Sequence, residues 1–280
     1  TNVVGLDDDI GYGIMRLTRD QRWERWMIGN PIYNLLLGTL FEWGVAAHGL
    51  ETTKYRKGEK SLAEVRKDLR VIGKKVGKQV GKDYVVFPAL AGRNWKSTLK
   101  ANAIANLIRN YWSYMVIFCG HFPDGAEKFT RQEFEDETQG EWYLRQLLGS
   151  ANFHACPVMA FMSGNLCYQI EHHLFPDLPS NRYAQISERV QALCEKYDLP
   201  YTTGSLPRQY FQSFWTSLKL ALPDKLLKAS SDDAPETNSE LKFRIREGMR
   251  ESFGVDPATG KRRGLRTAVR ELETGVMATG

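Results

Sequence analysis

The chain has 280 residues, of which 42% are hydrophobic and 25% charged, and it carries a net charge of +5. This length suits one large domain or two ordinary ones, and the composition excludes a disordered or collagen-like chain. The mean hydropathy of −0.42 excludes a polytopic membrane protein built mostly of lipid-facing helix, but it leaves room for two spans diluted by polar segments. The four cysteines form no CxxC pair, so neither a disulfide framework nor a cysteine zinc site is indicated.

The first predicted element in chain order is an apolar stretch over residues 31–50, about as long as a bilayer core requires. Its only strongly polar side chains are Asn34, Glu42 and His48. Aromatic residues lie within the stretch, and basic residues stand just outside both of its ends. This arrangement favours a membrane span, while a buried helix is the alternative that stays open.

Residues 54–82 form a basic segment, with eleven Lys or Arg residues against three acidic ones and a local net charge of +8. Apolar residues within it recur at helical spacing, which predicts an amphipathic helix with a basic face. The face is either a solvated surface or a docking face for anionic headgroups or an anionic substrate. Nucleic acid is not expected as a partner, because no recognition motif accompanies the charge. The candidate contacts for an anion are Lys54, Arg56, Lys57, Arg66 and Arg70.

A second candidate span covers residues 101–122, and hydropathy leaves it marginal because its first half is interrupted by polar residues. If this stretch crosses a membrane, we expect those side chains to face a protein interior or a cavity, where polar groups inside a bilayer usually lie. The polar residues are Asn102, Asn106, Arg109 and Asn110.

The rest of the chain is predicted to be mostly helical, with a polar end. An acidic, turn-like stretch over 123–141 precedes apolar periodicity over 142–176 and an amphipathic helix over 183–197. Over 223–280 the composition shifts to Ser, Asp, Glu, Lys and Arg, which is typical of a linker and a flexible tail.

The five histidines are the most informative residues of the chain. Gln169, His172 and His173 belong to the string QIEHH on a predicted helix, where the i, i+3 and i, i+4 spacings bring all three to one face. Imidazole nitrogens with few carboxylates nearby suit an iron pair or zinc. Asn165 lies four residues before Gln169 on the same predicted face, where it could contact a metal through water or through another ligand.

The alternative for each histidine is an ordinary structural role. His172 and His173 would then be a surface or capping pair, and His121 would be the last residue of a helix. His154 and His48 have no partner at ligand spacing. Ligation by the pair is favoured by its position, since it follows an apolar segment at the point where a span would emerge into water. The sequence contains neither HExxH nor GxSxG, so zincin and serine-hydrolase sites are not expected.

Three strings of the sequence gain meaning when they are taken together: TNVVGLDDDIGYG at the start, GHFPDGAEKF after the second candidate span, and GNLCYQIEHHLFPDLPSNRY. They resemble the membrane fatty acid desaturases, and within that family the mycobacterial acyl-CoA Δ9 desaturases of the linoleoyl-CoA desaturase-like group. The likeness runs from Thr1 to about Leu222. It implies a mainly α, helical integral membrane protein of four spans with a helical cytosolic cap, of which this chain would hold the two candidate spans.

By this resemblance, a di-iron centre is held by three histidine boxes and one further histidine. The third box falls on residues 169–173, with Gln169, His172 and His173 as its ligands, and the further histidine is His121. Glutamine also stands at the first position of this box in the front-end desaturase branch, so it does not by itself imply loss of activity. No catalytic residue is expected beyond the metal ligands.

Asn165 and His154 match no family ligand, and at most they would lie in a second layer around the metals. The first two boxes would precede Thr1, so this chain would be the C-terminal part of the enzyme and inactive alone. The likeness divides it into part of the membrane desaturase domain over 1–222 and a polar tail over 223–280.

The activity that the resemblance implies is O2-dependent desaturation of fatty acyl-CoA in lipid biosynthesis, with a cis double bond at Δ9 of chains such as stearoyl-CoA. The CoA phosphates would meet basic groups within 54–82, and electrons would come from a separate flavin and iron–sulfur reductase. The protein would be integral to the cell membrane, in contact with membrane lipids, with its histidine boxes and tail on the cytoplasmic side.

Two other functions stay open. A related membrane di-iron hydroxylase, acting on fatty acyl chains or alkanes, would keep every histidine and differ only in its product. A non-catalytic membrane interaction fragment would bind no iron at all.

Overall fold

The structure is a computed structural model that describes residues 2–4, 10–51, 54–55, 58–123, 126–129, 137–197 and 199–227. The chain divides into two compact units. The histidine unit comprises Thr1–Asn34 and Met115–Gly280, and the basic unit comprises Leu35–Tyr114. Most of the tail predicted over 223–280 lies outside the described residues, as do Arg56 and Lys57. The division at residue 222 stays a prediction.

The described chain is mainly helical, as predicted. Two short parallel strands, β1 (Asn152–His154) and β2 (Thr203–Ser205), pair with each other. A π-helical turn, Lys82–Val86, follows directly on α3 and leads into α4. The helices are α1 (Asn30–Thr39), α2 (Phe41–His48), α3 (Leu62–Gly81), α4 (Phe87–Leu90), α5 (Trp95–His121), α6 (Gln139–Leu148), α7 (Pro157–Met162), α8 (Gln169–Leu174), α9 (Tyr183–Tyr197) and α10 (Leu206–Leu220). Single 3-10 turns occur at Ile10–Gly13, Arg25–Gly29, Gly92–Asn94, Ser180–Arg182 and Asp224–Leu226.

The stretch predicted as the first span is broken at Leu40, so the expectation of one continuous helix over 31–50 is wrong. The Thr39 carbonyl accepts a hydrogen bond from Asn110 Nδ2 at 2.9 Å, and the Trp43 N–H bonds to the Leu40 carbonyl instead. The resulting helices α1 and α2 have 10 and 8 residues. At a rise of about 1.5 Å per residue, neither approaches the roughly 30 Å of a bilayer core.

The second predicted span lies inside α5, which is 27 residues long. Its polar side chains bond to other groups of the basic unit, although Arg109 is also exposed. Asn102 Nδ2 donates to the Asp83 carbonyl at 2.6 Å, and Asn106 Nδ2 donates to Asp83 Oδ2 at 3.1 Å. Arg109 forms an ion pair with Glu42. Among the residues that the structure describes, no helix combines the length and the apolar character that membrane crossing requires.

Helix α3 confirms the amphipathic helix predicted in the basic segment. Its start is fixed by a capping box, in which the Ser61 hydroxyl accepts from the Glu64 N–H and the Glu64 carboxylate accepts from the Ser61 N–H. The predicted apolar stripe is only partly covered, because Leu62 and Leu69 are 47% and 49% exposed. Not one residue of α3 is fully buried.

The core of the histidine unit forms where α8 packs against α6 and α9. Helix α9 has the bounds predicted for the amphipathic helix over 183–197, and its buried face carries Val190 and Cys194. These side chains join Leu147, Ile170 and Leu174 in one cluster. The consequence is that α8, which carries the QIEHH string, is held on two sides by apolar packing.

The described start of the chain is anchored beside the last turn of α5. Asn2 is buried, and its Nδ2 lies within hydrogen-bond distance of three carbonyls, those of His121 at 3.1 Å, Glu127 at 2.9 Å and Gly149 at 2.6 Å. Val3 pairs with Phe129 in a parallel bridge. These bonds tie the backbone around His121 to loops that follow it by up to 28 residues in sequence.

Candidate metal centre

The histidine cluster forms where the C-terminal end of α5 meets the N-terminal end of α8. His121 is the last residue of α5 and Gln169 is the first residue of α8. Their Nε2 atoms are 3.0 Å apart, so the amide donates to the imidazole. The approach depends on Gly120, because a Cβ there would lie 2.8 Å from Cγ and 3.0 Å from Cδ of Gln169.

The structure brings together all four predicted ligands. The ring centroids of His121 and His173 are 5.0 Å apart, and those of His172 and His173 are 5.2 Å apart. Across the described ranges, no group of three His, Cys, Asp or Glu side chains is already arranged to hold a metal ion. The histidine cluster, as the term is used below, consists of His121, Gln169, His172 and His173.

Two buried polar atoms of the cluster have no hydrogen-bond partner, His173 Nε2 and Gln169 Oε1. Buried polar atoms are nearly always paired, and an unpaired one costs about 1–3 kcal/mol. One donates a lone pair from an imidazole and the other from an amide carbonyl. Both are therefore metal-ligand atoms that no described protein group occupies.

Burial favours the neutral form of two imidazoles of the cluster, those of His172 and His173. It lowers the pKa of His173 to about 2, with His121 and His172 adding to the effect, and it also lowers the pKa of His172. A neutral imidazole is the form that binds a metal ion. Three imidazoles and one amide with no carboxylate among them fit iron as part of a ligand set.

Tyr183, at the start of α9, fixes the orientation of His172. Its hydroxyl lies 3.0 Å from His172 Nδ1, and its side chain is almost fully buried. Burial raises the pKa of Tyr183, so the phenol stays protonated. The contact occupies Nδ1 and leaves Nε2 of His172 for a metal. No sequence signal indicates this pair, since the two residues belong to different helices and follow no ligand motif.

Glu171 lies between the ligands in sequence but on the other side of α8, where it is fully buried. Its carboxylate accepts from Asn152 Nδ2 and from the Tyr201 hydroxyl, each at 2.8 Å. Asn152 Oδ1 accepts from the Ile170 N–H at 2.8 Å. Burial raises the pKa of Glu171, and these two side-chain hydrogen bonds oppose the rise. In the sequence, Glu171 is marked only as the one acidic residue of the string QIEHHL. That signal does not indicate Asn152 or Tyr201 as its partners.

Two residues expected at most in a second layer lie elsewhere. Asn165 precedes α8 in a turn and has a left-handed backbone, with φ of 63°, so its predicted helical register with Gln169 is wrong. His154 ends β1 with its side chain exposed. Within the described chain, neither side chain hydrogen-bonds to the histidine cluster. The four-residue spacing placed Asn165 on the helix, although the preceding Gly164 is a residue type that favours turns.

The basic candidates lie in the basic unit. Lys54 pairs with Glu51, and Arg66 and Arg70 are exposed on α3. Arg56 and Lys57 fall outside the described residues.

Comparison with known proteins decides what the cluster belongs to. The family model described as fatty acid desaturase matches residues 1–205. The chain belongs to the fatty acid desaturase family. This confirms the resemblance, and members of the family generally depend on a di-iron centre and associate with membranes.

Among individual desaturases, the chain is 57% identical over 274 residues to the NADPH-dependent stearoyl-CoA 9-desaturases of two Mycobacterium tuberculosis strains. The alignment covers 96% of this chain and 64% of each relative, so the chain spans just under two thirds of their length. It is also 38% identical over 68 residues to the Delta(8)-fatty-acid desaturase 1 of Arabidopsis thaliana, covering 24% of this chain and 15% of that protein. No solved structure matches.

Proposed function

We propose that the chain is part of a membrane acyl-CoA desaturase, which introduces a cis double bond at Δ9 into saturated chains such as stearoyl-CoA. The observation that carries the proposal is the partly buried histidine cluster, in which the buried atoms His173 Nε2 and Gln169 Oε1 have no hydrogen-bond partner. The substrate and the bond position follow the names of relatives that are 57% identical. On this proposal the membrane domain continues to about residue 222, and 223–280 is a polar tail.

The residues of the cluster hold the metal in this proposal, and their neighbours fix the ligands in place. His121, His172 and His173 bind through imidazole nitrogens, and the Gln169 amide oxygen is available beside them. A di-iron centre held in part by these residues would supply O2-dependent oxidation, in which one hydrogen would leave each of two adjacent methylenes and O2, with two electrons and two protons, would be reduced to two waters. Desolvation lowers the pKa of His172 and His173 and keeps these two imidazoles unprotonated, so they stay competent as ligands at neutral pH.

The partners in this proposal are acyl-CoA, membrane lipids and a separate flavin and iron–sulfur reductase. NADPH in the relatives' name supports a reductase as the source of electrons. Exposed apolar side chains on α5 support membrane contact, since Ile104, Leu107 and Ile108 are 46%, 45% and 64% exposed. We place the protein in the cell membrane, with the histidine cluster and the tail on the cytoplasmic side.

The test is product analysis with the full-length protein, its reductase, NADPH and stearoyl-CoA. Gas chromatography of the released acyl chains should show the cis Δ9 product, and His173→Ala should abolish it because a ligand is lost. His48→Ala, at the end of α2 and outside the cluster, is the matched histidine control. A hydroxylated product without alkene would contradict desaturation and favour a membrane di-iron hydroxylase. A purified full-length protein without iron would favour a non-catalytic role in membrane interaction.

A further inference from the structure

The exposed face of α3 is an unneutralised line of positive charge. Its cations are all exposed, and in the described part of the chain none of them forms an ion pair. At 100° per residue they occupy one half of the helix, opposite the apolar stripe. From the first to the last cation the line extends about 18 Å along the helix. The members of this basic face are Arg66, Lys67, Arg70, Lys74, Lys75 and Lys78.

The two acidic residues of α3 form no ion pair with this face. Glu64 is held by Ser61 in the capping box, and Asp68 pairs with Lys60 at 2.7 Å. The positive potential of the basic face is therefore directed at solvent. A single solvated helix needs no such separation of its charges, since mixed signs on one face keep it soluble equally well.

The turn that follows α3 exposes a second, apolar feature. Leu90 is 79% exposed, Val85 62% and Trp95 47%. Cations lie against the aromatic rings of this turn, with Lys82 Nζ 5.7 Å from the Phe87 ring centroid and Lys96 Nζ 5.5 Å from that of Trp95. Apolar and aromatic side chains flanked by cations are typical of the boundary between a bilayer and water.

We propose that the basic face of α3 docks on anionic lipid headgroups, with the apolar turn 85–95 entering the headgroup layer beside it. A row of separate cations about 18 Å long matches a surface of many phosphates better than it matches one compact ligand. Lipid would also bury the adjoining exposed apolar side chains, whereas binding of a soluble anion such as CoA would leave them in contact with water. This docking is independent of the desaturation reaction, and it assigns Arg66 and Arg70 to lipid instead of the CoA of a substrate.

The experiment is co-flotation of the full chain with vesicles of phosphatidylcholine alone or phosphatidylcholine containing phosphatidylglycerol. The test variant is Arg66→Gln/Arg70→Gln/Lys74→Gln. The matched control, Arg189→Gln/Arg208→Gln/Lys196→Gln, removes the same residue types from exposed positions on α9 and α10. Circular dichroism on all three proteins checks that the helices persist.

We expect tighter binding to the anionic vesicles, a preference that falls with added salt. Each cation near an anionic surface contributes about five-fold in affinity, so the test variant should lose on the order of 100-fold on anionic vesicles. It should lose little on neutral ones, and the control should keep the preference. The proposal is overturned by equal binding to both vesicle types, by equal losses in test and control variants, or by soluble CoA that displaces the wild-type chain but not the test variant from anionic vesicles. None of these vesicle-binding results bears on desaturation, which the product assay tests by itself.

Discussion

Gly120 lies where the end of α5 contacts Gln169 at the start of α8, and the position leaves no room for a side chain. A Cβ would lie 2.8 Å from Cγ of Gln169, so that side chain or the start of α8 must shift. We expect Gly120→Ala to lower the free energy of unfolding by about 1–3 kcal/mol, as overpacking of a core does. It should also break the contact between Gln169 and His121. Chemical denaturation followed by tryptophan fluorescence measures the first effect.

Gly73 on α3 offers the matched control for this substitution. A Cβ there would meet no atom within 4 Å, and alanine is the better helix former by about 1 kcal/mol. Gly73→Ala should therefore leave stability unchanged or raise it. If Gly120→Ala were as well tolerated as Gly73→Ala, the close approach of α5 and α8 would not be the constraint described above.

Tyr183 acts on the metal site through His172, and its hydroxyl is the group to remove. Tyr183→Phe keeps the ring and deletes the 3.0 Å contact with Nδ1. Loss of such an outer contact typically costs 10- to 100-fold in metal affinity, and we expect about ten-fold here. Titration with Co²⁺, followed by its visible absorption, measures the affinity without requiring catalysis. Nitrogen NMR of His172 should show a changed tautomer balance in the metal-free chain.

Tyr197→Phe is the control, because Tyr197 lies on the same helix with its side chain 58% exposed. It removes the same hydroxyl far along α9 from His172 and should leave both the affinity and the His172 signals unchanged. Equal affinities of the two variants for Co²⁺ would show that Tyr183 has no positioning role.

At the scale of elements, α8 is tied to β1 through the buried Glu171 carboxylate. Because burial raises the pKa of Glu171 in the folded state, the stability it contributes is present at low pH and is lost as the pH rises through that raised value. Glutamine carries no charge to desolvate and still offers one oxygen to Asn152 and one N–H to the Tyr201 hydroxyl. We therefore expect the unfolding free energy of the wild type to fall relative to Glu171→Gln as the pH rises above about 4, the ordinary pKa of a glutamate.

Glu171→Ala separates the hydrogen bonds from the charge. It leaves Asn152 and Tyr201 without their shared acceptor and opens a cavity, so we expect a loss of about 2 kcal/mol or more at every pH. Thermal or denaturant unfolding at several pH values measures both variants. A wild type that stays parallel to Glu171→Gln across the pH range would contradict the role given to the buried carboxyl.

The elements predicted well are those that depend on local signals. Helix α3 follows from apolar spacing, and α9 follows from its amphipathic pattern. The break at Leu40 depends instead on Asn110, whose side chain takes the Thr39 carbonyl from 71 residues away. Nothing in the sequence near Leu40 marks that competition, so hydropathy joined α1 and α2 into one span.

At the scale of the whole molecule, the site was predictable as far as motif and resemblance reach. The spacing in QIEHH and the likeness around it identified Gln169, His172 and His173, and the likeness alone supplied His121. The residues that hold these ligands were not predictable, because Gly120 matters only through a tertiary approach and Tyr183 only through the packing of another helix. The spacing of residues within one helix can predict a set of candidate ligands. The residues that position those ligands depend on contacts between helices, which the spacing does not show.

The metal capacity of the chain is the last property that the whole molecule decides. The histidine cluster supplies three imidazoles and one amide, and two irons need more donors than these. We therefore expect the purified chain of 280 residues to hold at most about one iron per molecule and to be inactive alone. His173→Ala should reduce that occupancy, and His48→Ala should leave it unchanged. Elemental analysis after gel filtration measures the ratio. Two irons retained per chain would contradict the expectation, since they would require ligands beyond the cluster within these 280 residues.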